Sequence, residues 1–381
     1  MQDTFHQKLS SIVKILKSSP GSVTVQNIQR LSNIHKFETF IETINDKVKR
    51  LSIAGKILVM DIDFIELPSK NKDQTRFELN DVRLILANNN NSFKYVNTEN
   101  GENILKNCLL NYPDLSKFDE TLETLSIFDQ VSHDDFDLFD YYMKIYDAFH
   151  QIPEFDVKMN TNDKFTIIVQ DMFEVSLVND ERLNLSRIEY NGEWNDKKQK
   201  INDVGLQVKF IGDVSIAITK NILLQNDLIF DDSKKKKLFD SNEVFKSKKN
   251  SNLTFQGFQF LESEVLLISE VFSNDLPSLM KVLVELHKFS KLERFIEQLK
   301  QNFTLIDKFA DLENEDVRLN DFLNGESIDE IEVEHHFITM SLKQQQIELK
   351  SDDSEYNFTI DTSIQHKLDE GLEKLKGILE K

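Results

Sequence analysis

The chain has 381 residues, 39% of them hydrophobic and 29% charged, a balance that supplies a buried core and excludes global disorder. A formal charge of −20 opposes phosphate backbones, and the basic footprint of a nucleic-acid binder is missing. A single cysteine, Cys108, rules out an internal disulfide and any cysteine-based zinc cluster.

Phenylalanine is over-used, with 29 copies against one tryptophan, which predicts aromatic packing between helices and sheets. No apolar run reaches the roughly 18 residues of a membrane span. The early SIVKILK is too short and too lysine-rich for a signal core. An intracellular chain is expected, and N-x-S/T triplets such as those opening at Asn184, Asn252 and Asn357 are then coincidental.

In chain order, Phe5, Leu9, Ile12, Val13 and Leu16 recur at helical spacing until SSPG at 18–21 stops them. Val25, Ile28 and Leu31 predict a second helix. Phe37, Phe40, Ile41, Ile44, Val48 and Leu51 predict a third. The period then changes to two, and residues 56–65 and 77–87 read as a hairpin. Helices follow at about 102–111, 114–131 and 135–150, with Pro113 placed to open the middle one. From 154 to 219 the pattern is strand-like, and 231–250 is a charged loop. A long helix is predicted from Pro277 to about 310, then strands over 331–342, 345–349 and 356–360, and a final helix from about 363. The expected class is α+β, with an N-terminal helical cap, antiparallel hairpins and packed helices. The expected segments are 1–150, 151–275 and 276–381.

Two aspartates, Asp61 and Asp63, end the apolar run LSIAGKILVMDIDF. A magnesium-dependent phosphatase of the haloacid-dehalogenase type presents its nucleophile and acid in this spacing, and an enzyme using Asp61 and Asp63 is the alternative function. Against it, no second acid follows the glycine-aspartate at 212–213, and hairpins disagree with a parallel sheet. Leu58, Met60, Ile62 and Phe64 share the face opposite the aspartates, so the strand needs no catalytic explanation. Arg83 is expected across from Asp61 or Asp63, an ion pair of roughly 0.2–1 kcal/mol.

Other sites fare less well. A helix-turn-helix at 23–44 would present Glu38, Glu42 and Asp46 to phosphates, the wrong sign. His335 and His336 are adjacent on a strand and point to opposite faces. HDDFDLFD at 133–140 lacks the glycine of a calcium loop, and helix capping by Asp134 or Asp135 explains it. No cofactor or metal is expected. Lys234–Lys237, with Lys246, Lys248 and Lys249, reads as an import signal or as a solvated loop. The long helix is a core element or offers Leu283, Leu286, Leu292, Ile296 and Leu299 to a partner.

The stretches PGSVTVQNIQRLSNIHKFETF (20–40), RLSIAGKILVMDIDF (50–64) and NDVRLILANNNNSFKYVNTENGENILKNCLLNYPDLSKF (80–118) resemble the yeast form of the Mediator subunit 1 family. DLFDYYMKIY and KMNTNDKF at 137–146 and 158–165 add weaker echoes; beyond about 170 the likeness is one of character. The resemblance implies a nuclear, non-catalytic subunit of the middle module of the coactivator that links transcription factors to RNA polymerase II. It implies other middle-module subunits as partners, with transcription factors contacted directly or indirectly, and neither nucleic acid nor membrane bound. Animal members bind nuclear receptors through L-x-x-L-L boxes. None occurs here, since LKNCLL at 105–110 has one residue too many.

Overall fold

A computed structural model describes residues 20–67, 76–87, 93–133, 136–153, 155–190, 194–212, 215–231, 244–247, 253–260, 265–306, 336–343, 346–351, 358–361 and 365–379. The class is α+β, with helices beside largely antiparallel sheets. The chain divides into two units, Met1–Gly212 with Phe272–Pro277, and Asp213–Val271 with Ser278–Lys381. The helix expected over 5–16 and the lysines 234–237, 248 and 249 lie outside the described residues.

In the first unit, helix α1 (Val25–Ile34) starts at Thr24, whose hydroxyl accepts from the Asn27 amide at 3.2 Å. Its buried residues Ile28 and Leu31 face the core. The predicted third helix is instead a hairpin, β1 (Glu38–Asn45) and β2 (Val48–Ala54). Thr39, Ile41, Thr43 and Ile44 are β-branched and lose side-chain freedom in a helix. Asn45 closes the turn, its Oδ1 accepting from the Lys47 and Val48 amides at 3.0 Å each. With β3 (Leu58–Leu67) and β4 (Arg76–Leu86) the hairpin forms an antiparallel meander in the order β1-β2-β3-β4. Its inner face buries Leu51, Ile53, Met60, Ile62, Val82 and Leu84.

Helices α2 (Ile104–Leu110), α3 (Ser116–Val131) and α4 (Leu138–His150) lie near their predicted spans. Asn103 caps α2, accepting from the Leu105 and Lys106 amides, and its Nδ2 donates to the Val82 carbonyl of β4 at 2.7 Å. Helix α4 is capped by Asp137, which accepts from the Phe139 amide at 2.9 Å. This corrects the expected caps Asp134 and Asp135, which lie outside the described residues. Phe93 and Phe128 each contact the rings of Tyr142, Phe139 and Phe165. Phe93 and Phe139 meet edge to face at 4.9 Å, and Phe128 and Phe139 at 5.2 Å.

Four antiparallel strands complete this unit: β5 (Val157–Met159), β6 (Ile167–Val169), β7 (Phe173–Tyr190) and β8 (Trp194–Phe210). Tyr142 donates to Asn160 Oδ1 at 3.3 Å, so residues on both sides of position 150 share one core. Strands β7 and β8 form one long hairpin whose register shifts between Asn179 and Asn184. At the shift Arg182 Nη2 meets Asp180 Oδ2 at 2.6 Å and the guanidinium lies 5.1 Å from the Phe272 ring. Asn274, in the returning segment, accepts from the Asn184 amide through its side chain at 2.6 Å and from the Ser186 amide through its carbonyl at 2.7 Å.

The second unit contains β9 (Ile216–Thr219), α5 (Lys220–Gln225), β10 (Ile229–Phe230), β11 (Val244–Ser247), β12 (Leu253–Phe260) and β13 (Val265–Ile268). Strand β14 (Glu270–Ser273) spans the crossover between the units' segments, and helix α6 (Leu276–Asn302) follows. Then come β15 (Phe303–Ile306), β16 (His336–Lys343), β17 (Gln346–Ser351), β18 (Phe358–Asp361) and α7 (Gln365–Leu379). β9 pairs with β13, and a second sheet runs β15-β11-β12-β16-β17-β18. Three expectations change here. The charged stretch 231–250 contains a strand, β11, rather than only loop. The long helix ends at Asn302, and Phe303 and Ile306 belong to β15, paired with β11. β12 and β16 pair in parallel, a register that local pattern cannot announce.

Candidate functional site

The outer face of the meander gathers the charges predicted on β3. In register, Ser52, Asp61 and Arg83 form one cross-strand row, and Arg50, Asp63 and Asp81 the next. Arg50 grips Asp63 bidentately, Nε to Oδ1 at 2.7 Å and Nη2 to Oδ2 at 3.0 Å. Arg83 stands opposite Asp61, as expected, but its Nη2 donates diagonally to Asp63 Oδ2 at 3.0 Å. Asp61 accepts from the Ser52 hydroxyl at 2.7 Å and lies 3.5 Å from Arg50. The two guanidiniums and the hydroxyl cover the carboxylates, which are only 9% and 6% exposed.

The Arg50 hydrogen bonds hold Asp63 below the usual carboxylate range against the opposing effect of burial, and hold Arg50 above its own. Three of the roughly four lone-pair sites of the Asp63 carboxylate accept from arginine, and both of its oxygens are engaged. The arrangement cross-links the strands β2, β3 and β4. Among the described residues, no group of three or more His, Cys, Asp or Glu side chains is placed to hold a metal ion. Arg50 was hidden from sequence reasoning by the helical spacing of 37–51. The Asn45–Asp46 pair between β-branched runs was the turn signal that would have exposed it.

A second tie anchors this sheet. The Asp129 carboxylate, at the end of α3, accepts from the amides of Lys56, Ile57 and Leu58 at 2.7, 2.8 and 3.2 Å. Lys56 Nζ also donates to the Ser132 carbonyl. A Cβ on Gly55 would stand 2.6 Å from that carboxylate, so the turn admits only glycine without displacement.

The remaining margin of the sheet is β1. Phe40, Ile41 and Ile44 are 57%, 52% and 44% exposed, and Glu38 and Glu42 lie on the same strand. The acidic residues assigned by the helix-turn-helix alternative to a recognition helix therefore sit on an edge strand and its turn. On α6, Leu283 and Leu286 are wholly buried together with Leu279 and Val282. The side chains of Leu292, Ile296 and Leu299 lie outside the described residues. No helix among the described residues is long and apolar enough to cross a membrane.

Comparison with known proteins places this sheet and its helices in a family context. Residues 10–188 match the family model for Mediator of RNA polymerase II transcription subunit 1. The chain is 33% identical over 204 residues to the protein of that name from Saccharomyces cerevisiae, covering 44% of this chain and 35% of the relative. It is 34% identical over 187 residues to the one from Eremothecium gossypii, covering 46% and 42%. With the one from Kluyveromyces lactis it shares 35% identity over 185 residues, covering 45% and 41%. The aligned segment thus spans less than half the length of these relatives.

Proposed function

We propose that this protein, whose residues 10–188 match the Mediator subunit 1 family model, is a non-catalytic subunit of the Mediator coactivator. It works by binding, in the nucleus, within the middle module, passing contacts from gene-specific transcription factors toward RNA polymerase II. One observation carries the proposal: the matched residues are those that build the β1–β4 meander, α1–α4 and most of β7. The geometry supports it, because the candidate catalytic aspartates are consumed in ion pairs and act as strand cross-links. Docking through α6 falls to its distal half, Leu292, Ile296 and Leu299, since Leu283 and Leu286 are already buried within the chain.

Affinity purification of the tagged full chain from its native cells, followed by mass spectrometry, tests this function. Stoichiometric recovery of Mediator subunits is expected, reduced in a Leu292→Asp/Leu299→Asp variant. A chain recovered alone would remove the assembly role, and unchanged recovery of the variant would remove α6 from the interface.

A further inference from the structure

We infer that β1 is a docking edge that accepts an extended, lysine- or arginine-bearing segment of another subunit as a fifth strand of the meander. The inference rests on the assembly role proposed above and gives that role a surface. Among the described residues, β1 has a strand neighbour on one side only, β2. An eight-residue edge is ordinarily blunted by charged side chains, lysine above all, by proline or by an inward charge, because its unpaired amides and carbonyls template further pairing; Glu38 and Glu42 guard β1 against another acidic strand while admitting a basic one. β1, with the sequence ETFIETIN, has neither lysine nor proline; Lys36 and Lys47 lie beyond its ends.

The strand also prescribes its partner. Its outer face alternates Glu38, Phe40, Glu42 and Ile44, acid and apolar in turn, while Thr39, Ile41 and Thr43 occupy the other face. Directly opposed side chains contribute most to a strand pair, and like charges oppose it. The complementary strand carries cations four residues apart with an apolar residue midway between them. Main-chain hydrogen bonds supply affinity in this mode, and alternate side chains supply specificity. Glu42 lies 3.8 Å from Arg50 with its side chain largely in solvent, so it stays open to a second cation. An open groove of about 730 Å³ borders α1, with Gln29 and Ile34 among its walls. Gln29 donates to Thr39 of β1 at 3.3 Å, which sets that wall beside the inner face of the edge. A second copy of the chain is disfavoured as the occupant, because it would bring one charge of −20 against another.

Amide hydrogen exchange over residues 38–45 tests the edge, read in the complex purified on the tagged full chain and in the isolated full chain. The outward amides of β1 should exchange freely in the isolated chain and at least tenfold more slowly in the complex. Glu38→Lys/Glu42→Lys should restore fast exchange in β1 without altering β2 or β3, and circular dichroism should confirm that this surface variant folds. A benzoylphenylalanine in place of Phe40 should cross-link to a segment of another subunit with the stated cation spacing. Fast exchange in a fully assembled complex overturns the docking edge and leaves the assembly role standing. Protection already present in the isolated chain, or a cross-link to residues 1–19 or to a second copy, assigns the edge to a different occupant and overturns it too. A chain recovered alone with β1 unprotected removes both.

Discussion

Asp63 accepts three hydrogen bonds from two guanidiniums, and its substitution removes the anion that both arginines were arranged around. Removing one partner of a fully buried pair costs about 3–5 kcal/mol. Here Arg83 is half in solvent, and water screens it, so Asp63→Asn should cost about 2 kcal/mol. The pH dependence has a definite sign. Asp63 is depressed below its ordinary 3.8, so its stabilisation is complete above that value and disappears as pH falls through the depressed one. Urea unfolding of wild type and variant should differ fully near neutrality and converge in acid; a gap independent of pH would contradict the ion-pair account. Gly55→Ala probes the neighbouring tie. The added methyl meets a carboxylate that three amides hold in place, and about 2–3 kcal/mol should be lost. In an Asp129→Ala background the same substitution should cost under about 1 kcal/mol, because the obstacle is gone.

Among the elements, the β7–β8 hairpin depends on residues far along the chain. Its register shift leaves the Asn184 and Ser186 amides to a single residue, Asn274. Asn274→Ala removes the side-chain acceptor and keeps the carbonyl. The Asn184 amide should then exchange about fivefold faster, the equivalent of about 1 kcal/mol, with Ser186 little changed. Equal acceleration at both amides would mean that the whole segment had detached. Element-level legibility follows the same divide between local and distant partners. β3 and β4 were readable because one face of each is buried and the apolar alternation is regular. β1 was not, because it is exposed on both faces and so has no period of two to show. Phe37, Phe40, Ile41, Ile44, Val48 and Leu51 happen to fit helical spacing across a turn. The same coincidence extended α6 through Phe303 and Ile306, whose strand form depends on pairing with β11.

For the molecule as a whole, the α+β class was legible from the change of period along the chain, and the resemblance to Mediator subunit 1 from residues of the first unit. The candidate site was half legible: Asp61, Asp63 and Arg83 were found, but the dominant partner Arg50 was not. The parallel β12–β16 pair and the return of residues 272–277 depend on contacts between distant positions, which leave no local signature. Cys108 reports on the first unit as a body. It is fully buried, its thiol sits 3.2 Å from the Asp163 carbonyl, and burial pushes its pKa up to about 11. Iodoacetamide at pH 8 should leave it unmodified in the native chain and label it only as denaturant opens the unit. Rapid native labelling would mean that this core opens readily.

The return of residues 272–277 to the first unit also gives folding an order in time. A ribosome completes the β1–β4 meander and most of the β7–β8 hairpin before Asn274 exists. At 5–20 residues per second, the roughly 60 residues from Gly212 to Asn274 take about 3–12 s to emerge. For that interval the hairpin's register shift lacks the acceptors that Asn274 later supplies to the Asn184 and Ser186 amides.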